Sequence, residues 1–166
     1  MKTDLLELPP ISLYIHYPWC IKKCPYCDFN SHHGRAIKGY IEALLRDLDN
    51  DIRYLQNRSI HSIFIGGGTP SLMTIDEIRK LFQGLKDRLS ISRDVEVTIE
   101  ANPGTFEVEK FAQFRKIGIN RLSIGIQSFN NKHLKLLGRI HTRDESIEAI
   151  ERAKSVGFNN LNIDLM

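Results

Sequence analysis

The sequence lacks the features that mark membrane proteins, secreted disulfide proteins and nucleic-acid-binding proteins. No apolar run approaches the length needed to span a bilayer. The 23 basic and 20 acidic residues give a net charge of only +3, and neither sign is gathered into a block. The basic stripe typical of nucleic-acid binding is therefore missing. With 3 cysteines, an odd number, a framework of structural disulfides is not indicated either.

The amino-terminal segment also lacks the pattern of a secretory signal. Residues 1–10 hold acidic residues and prolines where a signal peptide carries an uninterrupted apolar stretch. We therefore expect a cytoplasmic protein with no transmembrane segment. The length of 166 residues suits one domain with a substantial core.

Short apolar strands alternate with amphipathic helices along the chain. Capping boxes at Thr74-x-x-Glu77 and Thr142-x-x-Glu145 mark two helix starts. The last helix is expected to bury Ile147, Ile150 and Val156. The predicted strands are 11–17, 59–65, 95–99, 121–126 and 161–166, and the predicted helices are 37–56, 74–89, 108–117, 132–137 and 142–156.

This alternation requires parallel pairing, because each crossover helix returns the chain to the same end of the sheet. A doubly wound sheet and an open part of a β/α barrel both satisfy it. The barrel is favoured because unusual residues follow the strand ends, where β/α barrels carry their sites. These residues are the cysteines after the first strand, glycines after the second, Glu100 after the third, Gln127 after the fourth and Asp164 at the end of the fifth.

We predict an α/β fold, a partial (β/α) barrel with about five parallel strands and crossover helices. The sequence stops on its fifth strand without a helix to cover that edge, which is an association hazard. We therefore interpret residues 1–166 as an incomplete core domain, truncated before a sixth unit.

The cysteines carry the main chemical signal. Cys20, Cys24 and Cys27 form a C-x-x-x-C-x-x-C motif directly after the first strand. Cysteine thiolates hold iron–sulfur clusters, and three thiolates on a cluster of four irons leave one iron open for chemistry.

Two other interpretations fit the same cysteines. Cys24-Pro-Tyr-Cys27 resembles the redox dithiol of glutaredoxins, although that site gives no role to Cys20. A zinc site is the other interpretation, although zinc knuckles usually pair two ligand hooks and only one is visible. Its fourth ligand would be His16, His32 or His33.

The cysteine spacing is similar to that of radical S-adenosylmethionine (SAM) enzymes, and further segments narrow the resemblance to the oxygen-independent coproporphyrinogen III oxidase-like group. The segments are Leu13-Tyr-Ile-His-Tyr-Pro-Trp-Cys20, Cys24-Pro-Tyr-Cys-Asp-Phe-Asn-Ser31, Gly66-Gly-Gly-Thr-Pro-Ser71, Glu100-Ala-Asn-Pro-Gly104, Leu122-Ser-Ile-Gly-Ile-Gln-Ser-Phe129, Leu137-Gly-Arg-Ile-His141 and Asn162-Ile-Asp164. They span nearly the whole chain in family order. Phe29 stands where the oxidase carries an extra cysteine, so the sequence resembles the heme chaperone branch of the group.

The resemblance implies a 4Fe-4S cluster on the three cysteines, whose unligated iron chelates SAM and releases a 5′-deoxyadenosyl radical. It also implies a set of SAM contacts, while no catalytic residue is assigned. These contacts are Gly67, Gly68 and Thr69 beside the methionyl amino group, Glu100 facing the same end, Arg139 at the methionyl carboxylate, Gln127 and Asp164 at the ribose hydroxyls, and Tyr14 and Tyr26 near the cluster and adenine.

The implied function is a SAM- and cluster-dependent chaperone that delivers heme to hemoproteins. The first alternative is a radical enzyme that decarboxylates a porphyrinogen oxidatively in heme biosynthesis, and the second is a thiol redox or zinc module. Heme would be a further ligand, with an axial histidine drawn from His32, His33, His133 and His141.

Overall fold

A five-stranded parallel sheet with crossover helices forms the centre of the molecule, in the strand order β1-β4-β5-β6-β7. The computed structural model describes residues 8–105 and 108–166. The amino-terminal residues 1–7, on which the prediction about targeting partly rests, lie outside the described residues. The strands are β1 Ile11–Tyr17, β2 Trp19–Cys20, β3 His32–His33, β4 Ile60–Gly67, β5 Ile91–Ala101, β6 Arg121–Gln127 and β7 Asn160–Leu165. The predicted α/β fold with parallel strands is confirmed.

Helices connect the successive strands of the sheet. They are α1 Tyr40–Asp51, α2 Ile75–Lys86, α3 Val108–Ile117, α4 Asn131–Leu136 and α5 Arg143–Ser155, with 3-10 turns at Ile52–Tyr54, Pro70–Leu72 and Pro103–Thr105. Both predicted capping boxes are present, at Thr74 before α2 and at Thr142 before α5. In the described part of the chain, no helix combines the length and apolarity required to cross a bilayer.

The core lies between the sheet and its helices. Fully buried strand residues such as Ile65, Ile99 and Leu122 meet the apolar faces of α2 and α3. The sheet is covered by helices where its strands are most apolar, as parallel sheets require. Polar residues lie instead at the carboxyl ends of the strands.

Several predicted boundaries and faces were wrong. Helix α1 begins at Tyr40 rather than at residue 37, because Gly39 at its amino end adopts φ +88°. Ile37 is consequently exposed. Helix α5 buries its small residues Ser146 and Ala149, together with Ala153. The predicted residues Ile147, Ile150 and Val156 are half-buried, and Ile150 and Val156 pack against the core beside these small residues.

The small pair formed by β2 and β3 was not predicted. Trp19 lies opposite His32 and Cys20 lies opposite His33 in a parallel register. Strands of two residues are too short to produce a periodic apolar pattern. Because these two strands pair, the segment that carries the cysteines is closed into a loop.

Candidate cofactor-binding site

A cavity of about 400 Å³ opens at the carboxyl ends of the parallel strands. Its walls come from the cysteine loop (residues 20–33), the glycine turn after β4, the ends of β5 to β7 and the segment after α4. The lining residues are Cys20, Lys22, Lys23, Cys24, Tyr26, Cys27, Phe29, Gly67, Gly68, Glu100, Ala101, Asn102, Ser123, Gly125, Gln127, Arg139, Asp164 and Met166.

Backbone hydrogen bonds hold the cysteine loop in place. The His32 N–H donates to the Pro18 carbonyl at 2.6 Å, and the Gly34 N–H donates to the Cys20 carbonyl at 3.1 Å. Within the loop, the Cys27 N–H donates to the Cys24 carbonyl at 3.1 Å, forming a turn that brings these two residues together. All three cysteines are half-buried free thiols on the wall of the same cavity.

These thiols suit an iron–sulfur cluster by their chemistry and by their shared cavity. The geometry does not by itself separate this interpretation from the thiol redox and zinc ones. Cys24 and Cys27 are free thiols, and among residues 8–105 and 108–166 no three His, Cys, Asp or Glu side chains, the three cysteines included, are grouped so as to hold a single metal ion.

His16, one of the histidines considered for zinc, has both ring nitrogens engaged. The Tyr14 hydroxyl donates to Nδ1 at 2.9 Å, and Nε2 donates to the Asn30 carbonyl at 2.8 Å. His16 therefore connects β1 to the far end of the cysteine loop.

The glycine turn allows two backbone segments to approach closely. A methyl group on Gly68 would lie 2.6 Å from the Trp19 carbonyl oxygen, and Gly67 adopts φ +119°, which favours glycine. The Gly68 N–H donates to the Tyr17 carbonyl at 2.7 Å, and the Thr69 N–H donates to the Trp19 carbonyl at 2.8 Å. The glycines thus tie the end of β4 to the start of the cysteine loop.

Two carboxylates face the cavity from neighbouring parts of the sheet. Glu100 accepts a hydrogen bond from the Gly67 N–H at 3.0 Å. Burial raises the pKa of Glu100, with a further contribution from the negative charge of Asp164, and the Gly67 hydrogen bond opposes the rise. Asp164 accepts from Asn162 Nδ2 at 2.6 Å and lies 3.4 Å from Ser123 Oγ. The cavity therefore holds two carboxylates together with the basic side chains of Lys22, Lys23 and Arg139.

Arg139 bridges the sheet and the cysteine loop. Its Nη2 donates to Asn102 Oδ1 at 2.5 Å and to the Gly125 carbonyl at 2.6 Å, and its Nη1 donates to Cys24 Sγ at 3.4 Å. Nε is buried without a hydrogen-bond partner in the described part of the chain. The guanidinium thus has protein partners on both Nη2 and Nη1, and its Nε lies buried beside them.

Most of the predicted SAM contacts line the cavity. These are Tyr26, Gly67, Gly68, Glu100, Gln127, Arg139 and Asp164. Thr69 is buried beside it and accepts from Asn102 Nδ2 at 3.0 Å, in a smaller adjoining cavity. Tyr14 is 57% exposed and is not among the residues that line the cavity, and its hydroxyl donates to His16.

The structure also brings in residues that the sequence did not predict. Asn102 holds both Thr69 and Arg139, and Ser123 contacts Asp164. The two-residue period of a strand could have indicated both. Asn102 follows Glu100 by two residues, and Ser123 precedes Gly125 and Gln127 on the same face of β6.

The histidines considered as heme ligands are scattered. His32, His33 and His133 are exposed. His141 is buried, and its Nε2 donates to the Ile126 carbonyl at 3.0 Å. Burial, together with the charge of Arg139, lowers the pKa of His141. His141 is therefore not placed to reach a ligand from the surface.

Comparison with known proteins agrees with this geometry. Residues 14–166 match the model of the Radical SAM superfamily. The heme chaperone HemW of Escherichia coli (strain K12) is 50% identical over 168 residues, covering 98% of this chain and 44% of that protein. HemW of Bacillus subtilis (strain 168) is 37% identical over 158 residues, covering 93% of this chain and 42% of that protein. The chain thus spans less than half the length of these relatives.

A solved structure shares the fold. Coproporphyrinogen III oxidase (HemN) from Escherichia coli, described as a radical SAM enzyme, superposes with a TM-score of 0.79 at 31% identity. The match covers 94% of this chain and 37% of that one.

Proposed function

This chain belongs to the radical SAM superfamily, and on that premise we propose that it is the cluster- and SAM-binding part of a HemW-type heme chaperone. The observation that carries the proposal is the single cavity shared by three free cysteines, the glycine turn and a set of complementary charges. SAM carries an ammonium, a carboxylate, a sulfonium and ribose hydroxyls. The cavity offers acids for the ammonium, basic groups for the carboxylate, and acids and amide groups for the hydroxyls.

In this proposal Cys20, Cys24 and Cys27 hold a 4Fe-4S cluster. When bound, the cluster would supply electron transfer to SAM at an iron without a protein ligand. The cysteine loop is held by backbone bonds that do not involve the thiols. The three thiols therefore remain available as ligands.

The remaining cavity residues would orient SAM. Glu100 offers a carboxylate to the ammonium, and Asp164 can accept hydrogen bonds from ribose hydroxyls. Arg139 would meet the methionyl carboxylate through Nη1, since its Nη2 already has two partners and its Nε is buried. Arg139 would thus hold SAM and Cys24 with one group.

SAM binding to the anaerobically reconstituted chain tests this proposal. Adding SAM to the reduced protein should change the electron paramagnetic resonance spectrum of the cluster, because SAM would ligate an iron. A matched titration with S-adenosylhomocysteine provides the comparison ligand. A cluster spectrum that SAM does not alter would contradict the proposal.

The choice between chaperone and oxidase is a proposal about the whole protein. The named HemW proteins are up to 50% identical to this chain, whereas the HemN structure is 31% identical. In addition, Phe29, which is 62% exposed, places an apolar ring on the cavity wall where the oxidase would carry a cysteine. Both observations favour the chaperone.

Two incubations separate these functions. Heme added to the chaperone should produce a shifted Soret band, and coproporphyrinogen with SAM and reductant should give no vinyl product. Formation of the vinyl product would establish the oxidase instead. Delivery to recipient hemoproteins and a cytoplasmic location stay predictions, which co-purification and fractionation can test.

A further inference from the structure

The chain makes a strained turn where β6 ends at the cavity. Gln127 adopts φ +66°, in the left-handed region that non-glycine residues rarely enter. The Ser128 N–H donates to the Ile126 carbonyl at 2.8 Å, so the hydrogen bond encloses Gln127 in a γ-turn. Such conformations persist only where surrounding groups hold them.

This turn determines what Gln127 presents to the site. Ile124 pairs with Ile163 and Gln127 pairs with Leu165, so β6 carries one extra residue between these pairs. Bulges of this kind redirect side chains near functional sites. Here the Gln127 side chain lines the cavity, while its carbonyl accepts from the Met166 N–H at 3.0 Å.

One buried side chain supports the turn from behind. His141, 3% exposed, donates from Nε2 to the same Ile126 carbonyl at 3.0 Å. The next residue, Thr142, caps the amino end of α5, which fixes the backbone on the other side of the ring. Nδ1 is buried and has no hydrogen-bond partner in the described ranges. The bond to Ile126 is therefore the polar contact that this ring makes there.

We propose that His141 is a positioning residue, which holds the Ile126 carbonyl and so keeps Gln127 turned toward the cavity. Without this bond, the Gln127 backbone would lose its left-handed conformation, and the angle at which its side chain enters the cavity would change. The inference rests on the proposed function, because the ligand that Gln127 would meet is the ribose of SAM.

A double-mutant cycle tests the role of His141. The dissociation constant of SAM is measured by calorimetry on anaerobically reconstituted wild type, His141→Leu, Gln127→Ala and the double variant. Each single change should weaken SAM binding about tenfold, the effect of one hydrogen bond. The double variant should bind SAM no more weakly than Gln127→Ala, because His141 acts through Gln127.

Two further measurements separate positioning from general support. Methionine lacks the ribose, so its affinity should be unchanged in His141→Leu. His141→Gln, which keeps an amide donor near the position of Nε2, should bind SAM within about twofold of wild type. His61→Leu, at an exposed site on β4, is the matched histidine control and should bind as wild type.

Three results would overturn the inference. They are unchanged SAM affinity in His141→Leu, equal losses of SAM and methionine affinity, or losses that add in the double variant. If His141→Leu does not fold, the test rests on His141→Gln. A tenfold loss of SAM affinity in this variant, when folded, overturns the inference. Absence of SAM binding by wild type would instead overturn the proposed function, so the two failures are distinguishable.

Discussion

The cysteine loop and the sheet beneath it are stabilised in different ways. The sheet buries side chains such as Ile65 and Ile99 completely, against helices on its apolar surfaces. The loop exposes Ile21 and Phe29, and hydrogen bonds attach it to the sheet ends. Stability thus resides mainly in the sheet and cofactor chemistry in the loop, so single substitutions should separate the two.

The largest predicted effect is on the loop alone. Cys24→Ala should abolish cluster loading while the circular dichroism spectrum keeps its helical signal, because Cys24 lies outside the core. Iron content and circular dichroism of the anaerobically purified variant measure both properties. Ile21→Ala, an exposed position in the same loop, is the control and should retain iron. Loss of helical signal in Cys24→Ala would show that the loop is structural.

The second prediction concerns a substitution in the sheet that should affect stability. Ile99 is 0% exposed near the carboxyl end of β5, so Ile99→Ala should lower the free energy of unfolding by about 2–5 kcal/mol. Denaturant unfolding of the apoprotein measures the change. Leu136→Ala, at a position 82% exposed, should change stability by less than about 0.5 kcal/mol. Equal effects at the two positions would contradict the assignment of the core.

A third substitution lies where the loop and the sheet meet. Gly68→Ala should destabilise the chain by about 1–3 kcal/mol and reduce iron loading, because the new methyl group meets the Trp19 backbone. Gly104→Ala, whose methyl group would make only ordinary contacts at 3.7 Å or more, is the matched control. If Gly68→Ala behaves like this control, the glycine turn does not tie the loop to the sheet.

The smallest predicted effect concerns the pH dependence of stability. Burial raises the pKa of Glu100 in the folded chain above the ordinary value of about 4.3. Its contribution to stability is therefore complete below that ordinary value and is lost as pH rises through the folded pKa. A glutamine side chain cannot ionise, so the stability of Glu100→Gln relative to wild type should increase from acid to neutral pH. A difference that is constant or decreases with pH would contradict this.

The sequence predicted the strands and helices better than it predicted the side-chain contacts at the carboxyl ends of the strands. Apolar periodicity located the strands and helices because burial imposes it, and capping boxes located two helix starts. The sequence did not indicate that α5 buries the small Ala149 and Ala153 most deeply, beside the predicted Ile150 and Val156.

Contacts at the carboxyl ends of the strands are harder to predict because they join residues that are far apart in the sequence. Arg139 and Asn102 lie 37 residues apart in the chain and meet only in the fold. The residue with a left-handed backbone at the end of β6 is Gln127 and not a glycine, so the sequence does not indicate the turn. The cysteines were recognised from their residue type and spacing, whereas the glycines and Glu100 were recognised from their positions after strands and from the resemblance to radical SAM enzymes.

The central claim is that three cysteines in one loop hold a four-iron cluster at the strand ends of this sheet. Iron and acid-labile sulfide measured on anaerobically purified wild type test it most directly. We expect about four irons and four sulfides per chain. Protein that carries zinc, or that contains no iron even after anaerobic reconstitution, would contradict it.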